Sequence, residues 1–166
     1  MPLLAELLAD AGIGWRDLTR IGVGTGPGNF TGIRISVAAA RGLALGLGIP
    51  AVGVGRMAAL AHGLPRPLLV AEAARAGAVR VQAFDRGPGD LAELDPDAVR
   101  AAYSGWPVLG SAADLSGGPV LAPAMPLAEA IARIAATSVP GLRPAPIYLR
   151  PADAAPPSDP PPVILP

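Results

Sequence analysis

Leu3, Leu4, Leu7 and Leu8 recur at helical spacing and the pattern stops before Gly12. This predicts an amphipathic helix with a glycine after its last turn. Ile21 to Thr25 is a short run of apolar residues and glycine, suited to a buried strand. A helix opening at Thr31 or Gly32 and running to about Leu47 follows, ended by Gly48 and Pro50. Ala51 to Val54 reads as a second short strand, so the three elements predict a strand–helix–strand unit with parallel strands and a right-handed crossover. Arg56 to Ala61 reads as a third helix.

Beyond Pro65 and Pro67 the pattern restarts. Leu68 to Ala71 is a strand candidate. Val79, Val81 and Ala83 alternate with Arg80, Gln82 and Phe84, which predicts a half-exposed strand of period two. The acidic, glycine-bearing stretch from Asp85 to Asp97 reads as a solvated loop, since no spacing in it matches a calcium loop. Leu127, Ile131, Ile134 and Ala135 then predict a last helix over Leu127 to Ala136. The boundaries that follow are a partial first lobe over residues 1–64, a smaller α/β lobe over 65–150 and a tail over 151–166. Seven of the sixteen residues from Pro151 to Pro166 are proline, which predicts an extended, disordered tail.

Composition narrows the chemistry. Apolar residues make up 51% of the 166, but 34 residues are alanine, so each apolar side chain buries little area. Formal net charge is zero, which does not favour a polyanion-binding surface. All 13 cationic residues are arginine. Without lysine there is no Schiff-base chemistry and no Walker-type phosphate loop. Cysteine is absent and His62 is the one histidine, which excludes disulfides and a zinc site of three or four Cys/His ligands. No basic segment precedes the first apolar stretch, unlike a signal peptide. The most membrane-like window, 33–55, contains Arg34, Arg41 and Pro50, and each arginine would cost about 2.5–3.5 kcal/mol on an insertion scale. A soluble, cytoplasmic protein is expected, with no membrane partner.

The most informative segment is Gly22-Val-Gly-Thr-Gly-Pro-Gly-Asn-Phe-Thr-Gly-Ile-Arg34. A glycine-dense turn from a strand into a helix start exposes backbone N–H groups to an anion. It is not the dinucleotide fingerprint, because Pro27 or Thr31 falls where the third glycine belongs. Gly26, Pro27, Gly28, Asn29, Phe30, Thr31 and Gly32 are therefore candidates for nucleotide contact, a weak signal on spacing alone, and the ordinary reading is a tight turn that needs glycine.

The helix behind that turn carries material for two faces. Ile33, Val37, Ala40, Ala44 and Leu47 form one apolar stripe. Ala38, Gly42 and Gly46, four residues apart, form a ridge nearly bare of side chain, along which another helix can approach closely. His62 sits at a predicted helix end, where a surface role is the ordinary one, and no serine lies in a nucleophile-elbow sequence.

Gly26-Pro-Gly-Asn-Phe-Thr-Gly-Ile-Arg-Ile-Ser-Val-Ala38, then Ala40-Arg-Gly-Leu-Ala44 and Gly48-Ile-Pro-Ala-Val-Gly-Val54, closely resembles the TsaB (YeaZ) family. The likeness reaches back through Leu4 to Leu18 and, more loosely, forward to Tyr148-Leu149-Arg150. It implies an α/β fold of the actin/hexokinase-like (ASKHA) two-lobe class. It also implies a non-catalytic dimerisation subunit in the modification of tRNA adenosine with threonylcarbamoyl. In that family picture the partner TsaD holds the metal and catalyses the transfer, TsaE supplies ATPase activity, and TsaC makes the threonylcarbamoyl-adenylate. The TsaB–TsaD contact is a helix bundle built on the helix after the glycine loop. This assigns Arg34, Ala38, Arg41, Gly42, Leu45 and Gly46 to the partner interface. It gives the chain no catalytic residue, no metal ligand and no cofactor of its own. ATP or ADP at the complex interface, a homodimer, and tRNA contact through the complex all stay open.

The chain departs from the family pattern in two places. Where the family commonly has an Asp-Ala-Arg stretch followed by Glu and Tyr, Ala73, Ala78 and Arg80 stand. The family's leading strands, with an Ile-Asp-Thr-Ser-like sequence and the first phosphate-contacting turn, are not found before the helix near Leu3. The first lobe is thus expected to be incomplete, with Met1 an internal methionine or the chain a fragment. The strand at Ile21 to Thr25 would then be a bare sheet edge. The competing reading is an enzyme, an ATPase or glycoprotease-like hydrolase of the same fold. Direct tRNA binding would need a clustered basic surface, and the arginines are dispersed.

Overall fold

The computed structural model describes residues 2–149, so the proline-rich tail and Arg150 lie outside the described residues. The elements are α1 (Pro2–Asp10), β1 (Ile21–Gly24), α2 (Phe30–Leu47), β2 (Ala51–Val54), α3 (Arg56–Leu60), β3 (Leu68–Ala73), β4 (Val79–Phe84), β5 (Ala92–Leu94), α4 (Pro96–Ala102), β6 (Val108–Leu109) and α5 (Leu127–Thr137). They form an α/β fold with two sheets.

The first sheet is the pair β1–β2, parallel, with Ile21 opposite Ala51 and Gly24 opposite Val54. α2 joins them. It begins at Phe30, one residue before Thr31, because Asn29 is the cap: its side-chain oxygen accepts the Gly32 N–H at 2.8 Å. It ends at Gly48, whose φ of 67° places it in the left-handed region that glycine adopts without strain. β1 bonds only to β2 among the described strands, so its second edge has no strand partner. Its faces are covered all the same. Val23 packs with Val37 and Ala40 of α2, and α5 closes the other side. There α5 comes so near that a Cβ on Gly22 would lie 2.9 Å from the Ala135 Cβ. α5, from the second half of the chain, therefore builds the first layer.

The second sheet has the order β5–β4–β3–β6, with β3 antiparallel to β4 and parallel to β6. Leu68, Leu69, Val70 and Ala71 are all buried, because both faces of β3 are covered. Leu69 and Ala71 join Val79, Val81 and Val99 on one side. Leu68 and Val70 join Met57, Phe84 and Leu109 on the other. This corrects the half-exposed reading of β4: Phe84 is buried in that second core while Ala83 is only partly covered. The acidic stretch also differs from a plain loop. Its first part is exposed, but it then supplies β5 and Asp95, which caps α4 by accepting the Asp97 N–H at 2.8 Å.

α1 forms where the leucine spacing predicts, yet none of its residues is buried. Leu3, Leu4 and Leu7 stay exposed.

Candidate functional site

Two features adjoin at the start of α2. The first is the glycine loop. Gly26 and Pro27 are buried, while Gly28, Asn29, Phe30, Thr31 and Gly32 are exposed. Gly26 has a φ of 94°, and a Cβ there would sit 2.7 Å from the Ile33 Cδ1, so conformation and space both require glycine. The Gly26 carbonyl accepts the Arg56 N–H at 2.7 Å, and the Thr25 carbonyl accepts the Ile147 N–H at 2.8 Å. The loop is thus held between the start of α3 and an extended segment returning from the far end of the chain. That segment brings the Tyr148 ring to 5.2 Å from the Phe30 ring, while the Arg34 guanidinium lies 4.7 Å from the Phe30 ring centroid.

In front of the loop is a cleft of about 530 Å³, bounded also by Ser36, Arg56, Glu72, Arg80, Ser111 and Ile131. Four side chains of alternating charge line up across this region. Arg56 donates from Nε and Nη2 to both oxygens of Glu72, at 2.7–3.0 Å. Glu72 on β3 stands directly opposite Arg80 on β4. Arg80 donates to Glu93 on β5 at 3.1 Å. The hydrogen bonds that Arg56 donates to Glu72 hold its guanidinium above its ordinary pKa, against the opposite pull of burial. Each charge in the row therefore has a neighbour of opposite sign, and the described residues contain no group of three His, Cys, Asp or Glu able to hold a metal ion. His62 lies apart, partly buried on the turn after α3.

The second feature is the outer face of α2. Val37, Ala40 and Ala44 are the buried residues of this helix. Arg34, Ala38, Arg41, Gly42, Leu45 and Gly46, assigned to an interface by resemblance, are all exposed and share the opposite side. Leu45 is 81% exposed and Ile35 63%. Beyond the helix's own neighbouring backbone, nothing lies within 4 Å of where a Cβ on Gly42 or Gly46 would be. The ridge is flanked by two shallow grooves of about 490 and 480 Å³. One is walled by Trp15, Ala39, Leu43 and Leu47, and the other by Arg41, Leu45, Ile49, Arg143 and Pro144. α2 is long and apolar enough to cross a membrane by length and composition, but it is built into the first sheet on its inner face.

Two parts of this arrangement are not evident from local pattern. The Arg56–Glu72 pair joins residues sixteen apart on different elements. Its one signal is a lone carboxylate, next to last in an otherwise apolar strand, a position that demands a partner. The return of Pro144 to Tyr148 across the loop has no periodic signal.

Residues 1–97 match the model of the TsaD family, tRNA N6-adenosine threonylcarbamoyltransferase. The chain is 31% identical over 152 residues to the tRNA threonylcarbamoyladenosine biosynthesis protein TsaB of Escherichia coli K12, an alignment covering 75% of this chain and 66% of that protein. It is 36% identical over 103 residues to TsaB of Bacillus subtilis 168, covering 58% and 44%. The solved structure of YeaZ from Pseudomonas aeruginosa superposes with a TM-score of 0.71 at 25% identity, over 89% of this chain and 82% of that one. The chain thus spans about two thirds of the E. coli relative's length and less than half of the B. subtilis one's.

Proposed function

The chain belongs to the TsaB (YeaZ) family, and from that premise we propose that it is a non-catalytic, cytoplasmic subunit that docks a TsaD protein through the outer face of α2. The observation carrying this reading is an exposed apolar helix face whose small residues leave room for a partner's backbone. A lone exposed leucine needs no explanation, but Leu45 beside the bare Gly42 and Gly46 positions and two open grooves is an arrangement of the kind that marks a protein interface. In this reading the fold is the two-lobe ASKHA class, TsaE joins the larger complex, and tRNA is reached through the complex. Any ATP or ADP sits at the subunit interface.

The test is co-purification with the TsaD protein of the same organism. Gly42→Leu places a side chain where a partner helix would lie, and it should abolish association while the chain stays folded. Undiminished association would remove the proposed interface. A second reading, that the chain is itself catalytic, draws on the TsaD family model over residues 1–97. Purified chain assayed alone for ATP hydrolysis and for threonylcarbamoyl transfer to tRNA should show neither, and turnover in either assay would favour the catalytic reading.

A further inference from the structure

Arg56 faces in two directions. Its backbone N–H holds the Gly26 carbonyl at 2.7 Å, and its guanidinium forms a fork with both oxygens of Glu72. Gly26 opens the loop that ends in the Asn29 cap and the first turn of α2. Glu72 belongs to the other sheet, on the one strand paired to both β4 and β6. Its side chain is only 13% exposed, so it depends on protein partners to satisfy its charge. Arg80, the residue opposite, already donates to Glu93, which leaves the Arg56 fork as the bond tying Glu72 to the first layer.

We propose that Glu72 is a positioning residue that, through Arg56, latches the glycine loop to the second sheet and so fixes where α2 begins. The fork is planar and bidentate, so it sets orientation as well as distance, which a single contact by an ammonium would not. Phe30 and Arg34, in the first two turns of α2, are placed by this chain of contacts. The latch lies within one chain and is independent of the partner reading.

Amide hydrogen exchange on the full chain alone tests it. Glu72→Ala should speed exchange of the Arg56 amide about tenfold, the scale of breaking a charge-assisted hydrogen bond at a partly exposed site. The Leu69 amide, bonded to the Pro107 carbonyl inside the second sheet, should keep its protection. Glu72→Gln, which keeps an acceptor at the same reach, should restore most of the Arg56 protection. Arg56→Gln removes the fork from its more exposed end, leaves Glu72 in place, and should accelerate exchange at residue 56 in the same way. An unchanged rate at residue 56 in both Glu72→Ala and Arg56→Gln would overturn the proposal. So would equal acceleration at Leu69, because that describes general loosening rather than a latch.

Discussion

β3 and α2 are both strongly apolar, and the fold treats them in opposite ways. Every residue from Leu68 to Ala71 is buried, because core forms on both faces of β3. α2 buries only Val37, Ala40 and Ala44 against the first sheet and leaves Ile35 and Leu45 in solvent. The contrast separates apolar sequence that builds the chain's own core from apolar sequence that does not. β3 accounts for itself completely, whereas the outer side of α2 is left over. A small folded domain seldom keeps such a face for no purpose.

The largest effect should come from the buried side. Leu69→Ala removes a fully buried side chain from a closed core and should cost about 2–5 kcal/mol in denaturant unfolding. Two glycines sharpen the comparison. Gly22→Ala sets a methyl against Ala135 and Ile131 of α5 and should cost about 1–3 kcal/mol. Gly42→Ala, on the outer face of α2, meets nothing and should stabilise by up to about 1 kcal/mol through helix propensity. A destabilised Gly42→Ala would mean that the ridge is already covered by the chain itself. Asn29→Ala removes the cap of α2 and should cost about 1 kcal/mol. Smallest of all, Leu45→Ser should move the unfolding free energy by no more than about 0.5 kcal/mol, as befits an exposed side chain.

Much of this contrast is legible in the sequence. β1, α2 and β2 follow from a glycine turn, one apolar stripe and a terminal glycine, all local signals. The bare ridge of Ala38, Gly42 and Gly46 can be read directly, since four-residue spacing puts them on one side of any helix. α4 and β5 escape such reading because they are short and weakly patterned: Val99 is the buried residue of α4, and β5 spans Ala92–Leu94. The second core around Phe84 escapes it because alternation within β4 says nothing of what covers its far face. That cover comes from Met57 and Leu109, distant in the chain. The Arg56–Glu72 fork and the Tyr148–Phe30 contact are likewise tertiary, created when two sheets and a returning segment meet.

The central claim is that the outer face of α2 is a docking surface, and a binding titration against the TsaD protein of the same organism tests it most directly. Leu45→Asp, with an unfolding midpoint unchanged from the parent chain, should weaken the complex by at least about tenfold, the scale of disrupting one well-buried apolar anchor in an interface. Equal affinity for parent and variant would contradict the claim, and the exposed face of α2 would then have no assigned role.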